Sequence, residues 1–147
     1  MDIQMKFDPE RQTGDFVLLS GDLAIDRDLE TAILVSLFTD RRADAGDRIP
    51  DGSADLRGCW MDALSDEPLG SRLWLLRREK IIPETVARVK EYIEEALQWV
   101  IQKKVAQDIT VTCAPDRSAG RIDAVIVLTK NRQTRRYQYV WRQLNGV

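Results

Sequence analysis

The sequence predicts an α+β fold, in which a long amphipathic helix packs on a C-terminal antiparallel β-meander and is preceded by a short β-hairpin and a helix. Two patterns support this prediction. From Pro83 to Lys104, apolar residues recur at steps of three and four, which is typical of one apolar face on an α-helix. From Ile109 to Trp141, three apolar or alternating segments are separated by turn residues, which is typical of antiparallel strands. We expect residues 1–147 to form a single domain, because this length is ordinary for one core.

The N-terminal region begins with polar residues. Residues 1–14 contain Pro9 and Gly14 and no apolar periodicity, so we expect an N-terminal arm or loop. Phe16–Leu19 and Leu23–Ile25 are apolar and flank a Ser-Gly-Asp turn, which predicts a small β-hairpin.

A helix of about three turns is expected after the hairpin. Its apolar face begins at Leu29, and Asp26 or Asp28 can cap its N-terminus. We expect it to end near Thr39.

Residues 40–58 form a long loop rich in Asp, Arg and Gly, without apolar periodicity. Long structureless loops inside compact domains are usually functional or disordered. The acids lack the spacing of an EF-hand, so we do not interpret them as a metal site. We expect the loop to become ordered against a partner protein, with Asp55 and Arg57 making polar contacts.

Two short apolar segments follow the loop. The first contains Trp60, and the second is a short helix, Leu73–Leu76, which Ser71 can cap. The second segment is too apolar to face water on all sides. Either the long helix and the sheet cover it, or Trp74 or Leu75 anchors a neighbouring chain.

The long helix has one apolar and one charged face. Pro83 suits its first turn, because a proline there leaves no hydrogen bond unmade. Ile93 and Leu97 lie in the middle of the apolar stripe, whereas Glu91 and Glu95 are expected to face water.

The meander follows the helix. Ile109–Cys113 alternates apolar residues with threonine, which predicts a half-buried strand. Ile122–Thr129 is nearly continuous in apolar residues, which predicts the central strand, and residues 130–135 form a turn. Tyr137–Trp141 predicts a last strand with one aromatic face.

Composition excludes several kinds of chemistry. There is no histidine, so Ser-His-Asp and Cys-His catalysis and histidine-ligated zinc are excluded. The net charge of −2 argues against nonspecific nucleic-acid binding, and no apolar run is long enough to span a membrane. We expect no cofactor and no metal, and we interpret Cys59 and Cys113 as reduced core residues.

Two alternatives to a purely structural role remain. Paired carboxylates could hydrolyse cell-wall polysaccharide, although 24 acidic residues make such a pair easy to find by chance. A basic last strand, with Lys130, Arg132, Arg135, Arg136 and Arg142 beside aromatic residues, could bind single-stranded nucleic acid.

Four stretches resemble the Mu-like phage baseplate protein family: residues 51–60, residues 70–80, Ala96–Val100, and Val105 with Ala106. More distantly, the part from Gly70 onward is similar to the small wedge protein of T4-type contractile tails and its type VI secretion relatives. These relatives have Glu-Pro-Arg near the end of the long helix, and this chain does not.

The resemblance implies a non-enzymatic wedge subunit that joins other wedge and hub proteins of a tail baseplate. It implies a place in the virion after assembly in the bacterial cytoplasm. It also implies no small-molecule substrate, nucleic acid or membrane as partner. The candidate partner-binding residues are Asp55, Arg57, Trp60, Trp74 and Leu75.

Overall fold

Six short strands lie in the N-terminal region of the computed structural model, which describes these strands and residues 29–142. The strands are β1 (Asp2–Ile3), β2 (Met5–Asp8), β3 (Thr13–Phe16), β4 (Leu18–Leu19), β5 (Asp22–Leu23) and β6 (Ile25–Asp26). They form three antiparallel pairs, β1 with β6, β2 with β3 and β4 with β5. The β4–β5 pair agrees with the expected hairpin, with shorter strands. Residues 1–14 were expected to form an arm or loop, but they contain β1, β2 and the start of β3.

The first helix, α1, spans Glu30–Phe38 and buries Ile33, Leu34 and Leu37. Leu29 is its N-cap residue, and no side chain caps the helix. The expected cap by Asp26 is therefore wrong, since that residue belongs to β6. Asp28, the alternative cap, lies outside the described residues.

Two 3-10 helices connect α1 to the next α-helix, and they span Trp60–Ala63 and Arg72–Leu76. The second was predicted as a short helix capped by Ser71. Its Oγ atom accepts a hydrogen bond from the Leu73 N–H at 3.4 Å, which confirms the cap. All four apolar residues of this 3-10 helix, Leu73–Leu76, are buried.

The predicted long helix is two helices, α2 (Pro83–Ala96) and α3 (Gln98–Gln102). Leu97 separates them, with φ −100° and ψ 5°. Its side chain and that of Val100 are fully buried, as the apolar stripe predicted, whereas Ile101 is 40% exposed. The prediction that Ile101 belongs to the core is therefore wrong.

The C-terminal meander is confirmed, with strand order β7–β8–β9. The strands are longer than predicted, at Asp108–Asp116, Arg121–Lys130 and Gln133–Arg142. Only Asn131 and Arg132 lie between β8 and β9, both with positive φ, as in the tight turns of β-hairpins. The expected turn over residues 130–135 is therefore much shorter.

The main core lies between the sheet and the helices. Every second residue of β8 is buried, from Ile122 to Leu128, and Tyr139 and Trp141 of β9 lie on the same face. These side chains pack with Val89, Ile93 and Leu97 and with the buried residues of α1. The central strand and the aromatic face were both predicted from the sequence.

The two cysteines are free and neither is fully buried. Cys113 packs against the core from β7, and burial raises its pKa to about 11. Cys59 lies instead beside the first 3-10 helix, where its Sγ atom is 3.9 Å from Asp62 Oδ1. Its interpretation as a core residue is therefore wrong.

Candidate partner-binding surface

The loop of residues 40–58 has no helix or long strand, but its two ends are fastened to the rest of the chain. Arg41 N–H donates to the Ser71 carbonyl at 3.0 Å, and Ser71 N–H donates to the Thr39 carbonyl at 2.9 Å. Gly70 allows this approach, because a Cβ atom there would lie 2.3 Å from the Thr39 oxygen. Across the loop, Ala43 N–H donates to the Leu56 carbonyl at 2.8 Å.

Arg72 connects the loop to α2. Its guanidinium lies 3.1 Å from Asp47 and 2.6 Å from Glu95, and also contacts the more exposed Asp44 at 3.2 Å. Burial opposes the charge of Arg72, but hydrogen bonds to Glu95 and Asp47 outweigh burial and raise its pKa. The guanidinium also lies 4.6 Å from the ring centre of Tyr92. Charge-assisted hydrogen bonds of this kind hold the loop in one arrangement.

The Glu95 carboxylate also forms an ion pair with a second arginine, Arg41. Arg41 Nη1 lies 2.8 Å from its Oε1 atom, so each carboxylate oxygen of Glu95 has its own guanidinium partner. The expectation that Glu95 simply faces water is wrong. Glu91, from the same predicted face, is exposed as expected.

Three of the five candidate partner-binding residues, Arg57, Trp74 and Leu75, lie together at the base of this loop, and Asp55 is bonded to Arg57. Trp74 is 3% exposed and donates its Nε1 hydrogen to the Arg41 carbonyl at 2.8 Å. Arg57 lies over the Trp74 ring at 4.6 Å, and Asp55 accepts a hydrogen bond from the Arg57 N–H at 2.8 Å. Leu75 is buried in the same small cluster.

Burial separates these residues into two groups. Trp74 and Leu75 pack within the chain, so they have little surface to offer a partner. Internal packing was one of the two expected alternatives, but residues of the loop together with Tyr92 of α2 cover these side chains, and the sheet does not. Asp55 and Arg57 keep exposed surface on the loop. Trp60 lies apart from both groups, on the first 3-10 helix, with 75% of its surface exposed.

An open groove of about 700 Å³ lies between α1, the end of α3 and a wall made of Met61, the neighbour of Trp60 in the chain, and residues 65–69. Its apolar lining includes Ala32, Val35, Met61, Leu69 and Trp99. Trp99 is held at the bottom by a hydrogen bond from Nε1 to Ser36 Oγ at 2.9 Å. The hydroxyl of Ser36 in turn donates to the Ala32 carbonyl at 2.8 Å.

Exposed apolar side chains line this groove or adjoin its lining residues in the chain. Leu64, like Trp60, is 75% exposed, and Val35 and Met61 are each 38% exposed. Apolar side chains clustered in this way on a protein surface usually mark an interaction site. We name this area, made of the groove with Trp60 and Leu64, the apolar groove surface.

The sequence analysis found only Trp60 of this surface. Trp60 and Leu64 belong to one short apolar segment between the loop and Ser65, and this segment was the one local signal available. The groove itself joins α1 to α3, and Ser36 and Trp99 are 63 residues apart in the chain. No local pattern reveals such a pairing.

Within the described part of the chain, no group of three or more acidic or cysteine side chains is arranged to hold a metal ion. None of the helices described there is both long and apolar enough to cross a bilayer. The charged cluster at Arg72 instead pairs acids with arginines, which makes it a structural junction.

The fold and the apolar groove surface together define a subunit that binds other proteins. Comparison with known proteins agrees with this class. The family model described as Phage protein GP46 matches residues 29–135. Baseplate protein gp46 of Escherichia phage Mu is 44% identical over 114 residues, which cover 78% of this chain and 68% of that protein. Mu-like prophage FluMu protein gp46 of Haemophilus influenzae is 35% identical over 117 residues, covering 78% of this chain and 79% of that protein.

The chain therefore belongs to the Phage protein GP46 family. This confirms the resemblance to the Mu-like phage baseplate protein family that the sequence analysis identified. The matched range begins with α1 and includes the loop, the apolar groove surface and most of the meander.

Proposed function

We propose that this chain is a structural subunit of the baseplate of a Mu-like contractile phage tail, where it acts as a wedge component through contacts with other wedge and hub proteins. The observation that carries the proposal is its 44% identity to baseplate protein gp46 of phage Mu. The apolar groove surface supports it, because an exposed surface of this kind is suited to permanent burial in an assembly. The wedge position and the relation to the small wedge protein of T4-type tails are part of this proposal.

Immunogold electron microscopy of purified tail particles tests the proposed location. An antibody against this chain should label the end of the tail that is distal to the head. Label along the tail tube or on the head, or a chain abundant in the lysate but missing from purified tails, would contradict the proposal. An antibody against the major tail-tube protein is the control for antibody access.

The proposal includes the absence of cell-wall hydrolysis. A glycosidase general acid needs a raised pKa, so that it is protonated when the bond breaks. Hydrogen bonds from Ser53 lower the pKa of Asp51, and hydrogen bonds from Ser118 and the Ala119 N–H lower that of Asp116. Both shifts are in the direction opposite to that of a general acid.

We therefore expect no loss of turbidity when the purified protein is added to a peptidoglycan suspension that a known lysozyme clears. Glu67 is the acidic residue that lines the groove, so Glu67→Gln is the matched variant. Clearing by the natural protein that this substitution abolishes would replace the structural role with an enzymatic one.

A further inference from the structure

The two walls of the apolar groove surface differ in charge. The wall formed by residues 58–71 has three acids, Asp62, Asp66 and Glu67, and neither Lys nor Arg. The opposite wall, at the end of α3, contributes Lys103, which pairs with Glu67 at 3.4 Å. Both partners of this ion pair are more than half exposed, so it contributes little to stability and opens easily. Asp66, which is exposed, then gives this wall a net negative charge, whereas the Asp62 carboxylate caps the first 3-10 helix by accepting from the Cys59 N–H at 2.8 Å.

The groove offers few backbone groups to an occupant. α1 and α3 use their backbone groups within the helices, so they present side chains to the groove. In the irregular wall, Ser65 N–H donates to the Met61 carbonyl at 3.0 Å, and Glu67 N–H donates to Ser65 Oγ at 3.1 Å. Pro68 has no N–H. No strand of the described residues lines the groove, so an extended segment would find no strand edge to pair with there, whereas a helix satisfies its own backbone groups.

We propose that the apolar groove surface binds an amphipathic helix of a neighbouring baseplate protein, with a basic flank that meets Asp66. This inference rests on the proposed function and names the kind of partner segment. The apolar face of the helix packs on Val35, Met61 and Trp99, and Trp60 and Leu64 extend the contact beyond the groove. A basic residue on one flank pairs with Asp66, and an acidic residue on the other flank can replace Glu67 as the partner of Lys103.

Photocrosslinking in assembled tails tests this inference. A benzoylphenylalanine residue is placed at Val35 in one variant and at Leu64 in a second, which is exposed enough to retain the fold. Ile82 is the matched control, since it is 43% exposed but lies at the N-terminal end of α2, away from the groove. We expect about tenfold more crosslinked product from Val35 and Leu64 than from Ile82, as for positions at the centre of an interface.

Peptide mapping of the crosslinks identifies the shape of the occupant. A helix predicts that the crosslinked partner residues lie three, four or seven positions apart in one segment. Partner residues two positions apart would indicate an extended strand and would overturn the inference, as would crosslinks to a second copy of this chain. Equal crosslinking at Ile82 would also overturn it. A chain missing from purified tails would instead contradict the proposed function itself.

A charge reversal tests the basic flank. Asp66→Lys should lower the yield of complete tails about tenfold, because it places like charges together in a desolvated contact. Glu91→Lys, an exposed charge reversal on α2, should change the yield less than about twofold. Equal yields from the two variants would contradict the basic flank.

Discussion

Arg72 is the residue at which the loop, the second 3-10 helix and α2 meet. It lies 23 positions before Glu95 and 25 after Asp47, so the ion pairs join distant parts of the chain. Periodicity correctly placed Glu95 opposite the apolar stripe of the helix. It could not show that a loop from far along the chain covers that position, because such a contact depends on the tertiary fold.

Substitution of Glu95 measures the strength of this junction. Glu95→Gln removes the charge that two arginines share, and we expect a loss of about 1–3 kcal/mol in the free energy of unfolding. Glu91→Gln is the matched control and should cost less than about 0.5 kcal/mol, because Glu91 is exposed on the same helix. Urea denaturation of both variants gives the comparison. Equal losses would show that the junction adds nothing to stability.

The Cys113 thiol gives a second prediction for a single residue, which concerns the pH dependence of stability and of thiol reactivity. Burial raises its thiol pKa from 9.0 to about 11, so the folded protein keeps the thiol protonated where the unfolded chain has lost the proton. The buried, protonated thiol contributes fully to the free energy of unfolding below pH 9, and this contribution is lost as the pH rises to about 11. Alkylation by iodoacetamide at pH 8, in a Cys59→Ser background, should be on the order of 100-fold slower in the folded than in the urea-unfolded protein. Equal rates would contradict this shift.

At the scale of elements, the break at Leu97 shows that apolar periodicity predicts which residues are buried but does not predict where a helix ends. Val100 N–H donates to the Leu97 carbonyl at 3.0 Å, a three-residue step in place of the four-residue step of an α-helix. Residues three apart lie on the same side of a 3-10 turn and of an α-helical turn, so the apolar stripe continues through the break. The sequence therefore predicted the buried residues Leu97 and Val100 but not the end of α2.

Truncation on either side of the break tests this description. Leu97→Ala should leave a cavity in the core and cost about 2–5 kcal/mol. Ile101→Ala removes a similar side chain at a 40% exposed position and should cost less than about 1 kcal/mol. Paired thermal melts measure the difference. Similar losses for both variants would support the single continuous helix of the sequence prediction.

The strands differ in how well the sequence predicted them. β7, β8 and β9 are long and follow one another directly, and along each strand at least part of the sequence alternates between more and less buried residues, so local patterns reveal them. The N-terminal strands are only two to four residues long. β1 pairs with β6 across most of this region, so no local pattern indicates the pairing. The groove is likewise formed by residues far apart in the chain, so the sequence identified Trp60 but not the groove.

At the scale of the whole molecule, the loop of residues 40–58 has a fastened base and an exposed tip. Ala43 and Leu56 close the base with a backbone hydrogen bond, whereas residues 51–55 are exposed and bond mainly to each other. The expectation that this loop becomes ordered against a partner through Asp55 and Arg57 stays a prediction. Of these two residues only Asp55 lies in the exposed tip, whereas Arg57 lies at the base and already contacts Asp40 and Trp74 within the chain.

Hydrogen exchange tests that prediction. In the free protein, we expect slow exchange at the Ala43 amide and fast exchange across residues 51–55, because the first is bonded across the loop and the others are exposed. In assembled tails, exchange at the tip should become slower. Amides in the middle of β8 are the control and should be equally slow in both states. Unchanged fast exchange at the tip would remove its proposed role in binding.

The closed base of the loop also makes its tip a suitable place to insert foreign sequence. When two ends of a loop are already held together, extra residues between them add only a slowly growing entropic cost to folding. Gly52 has open space around it, so a short epitope or a fluorophore-binding tag placed after it would meet no packed side chain. Such a tagged chain would keep its core, so its absence from purified tails, together with an unchanged thermal melt, would show that the tip binds a partner.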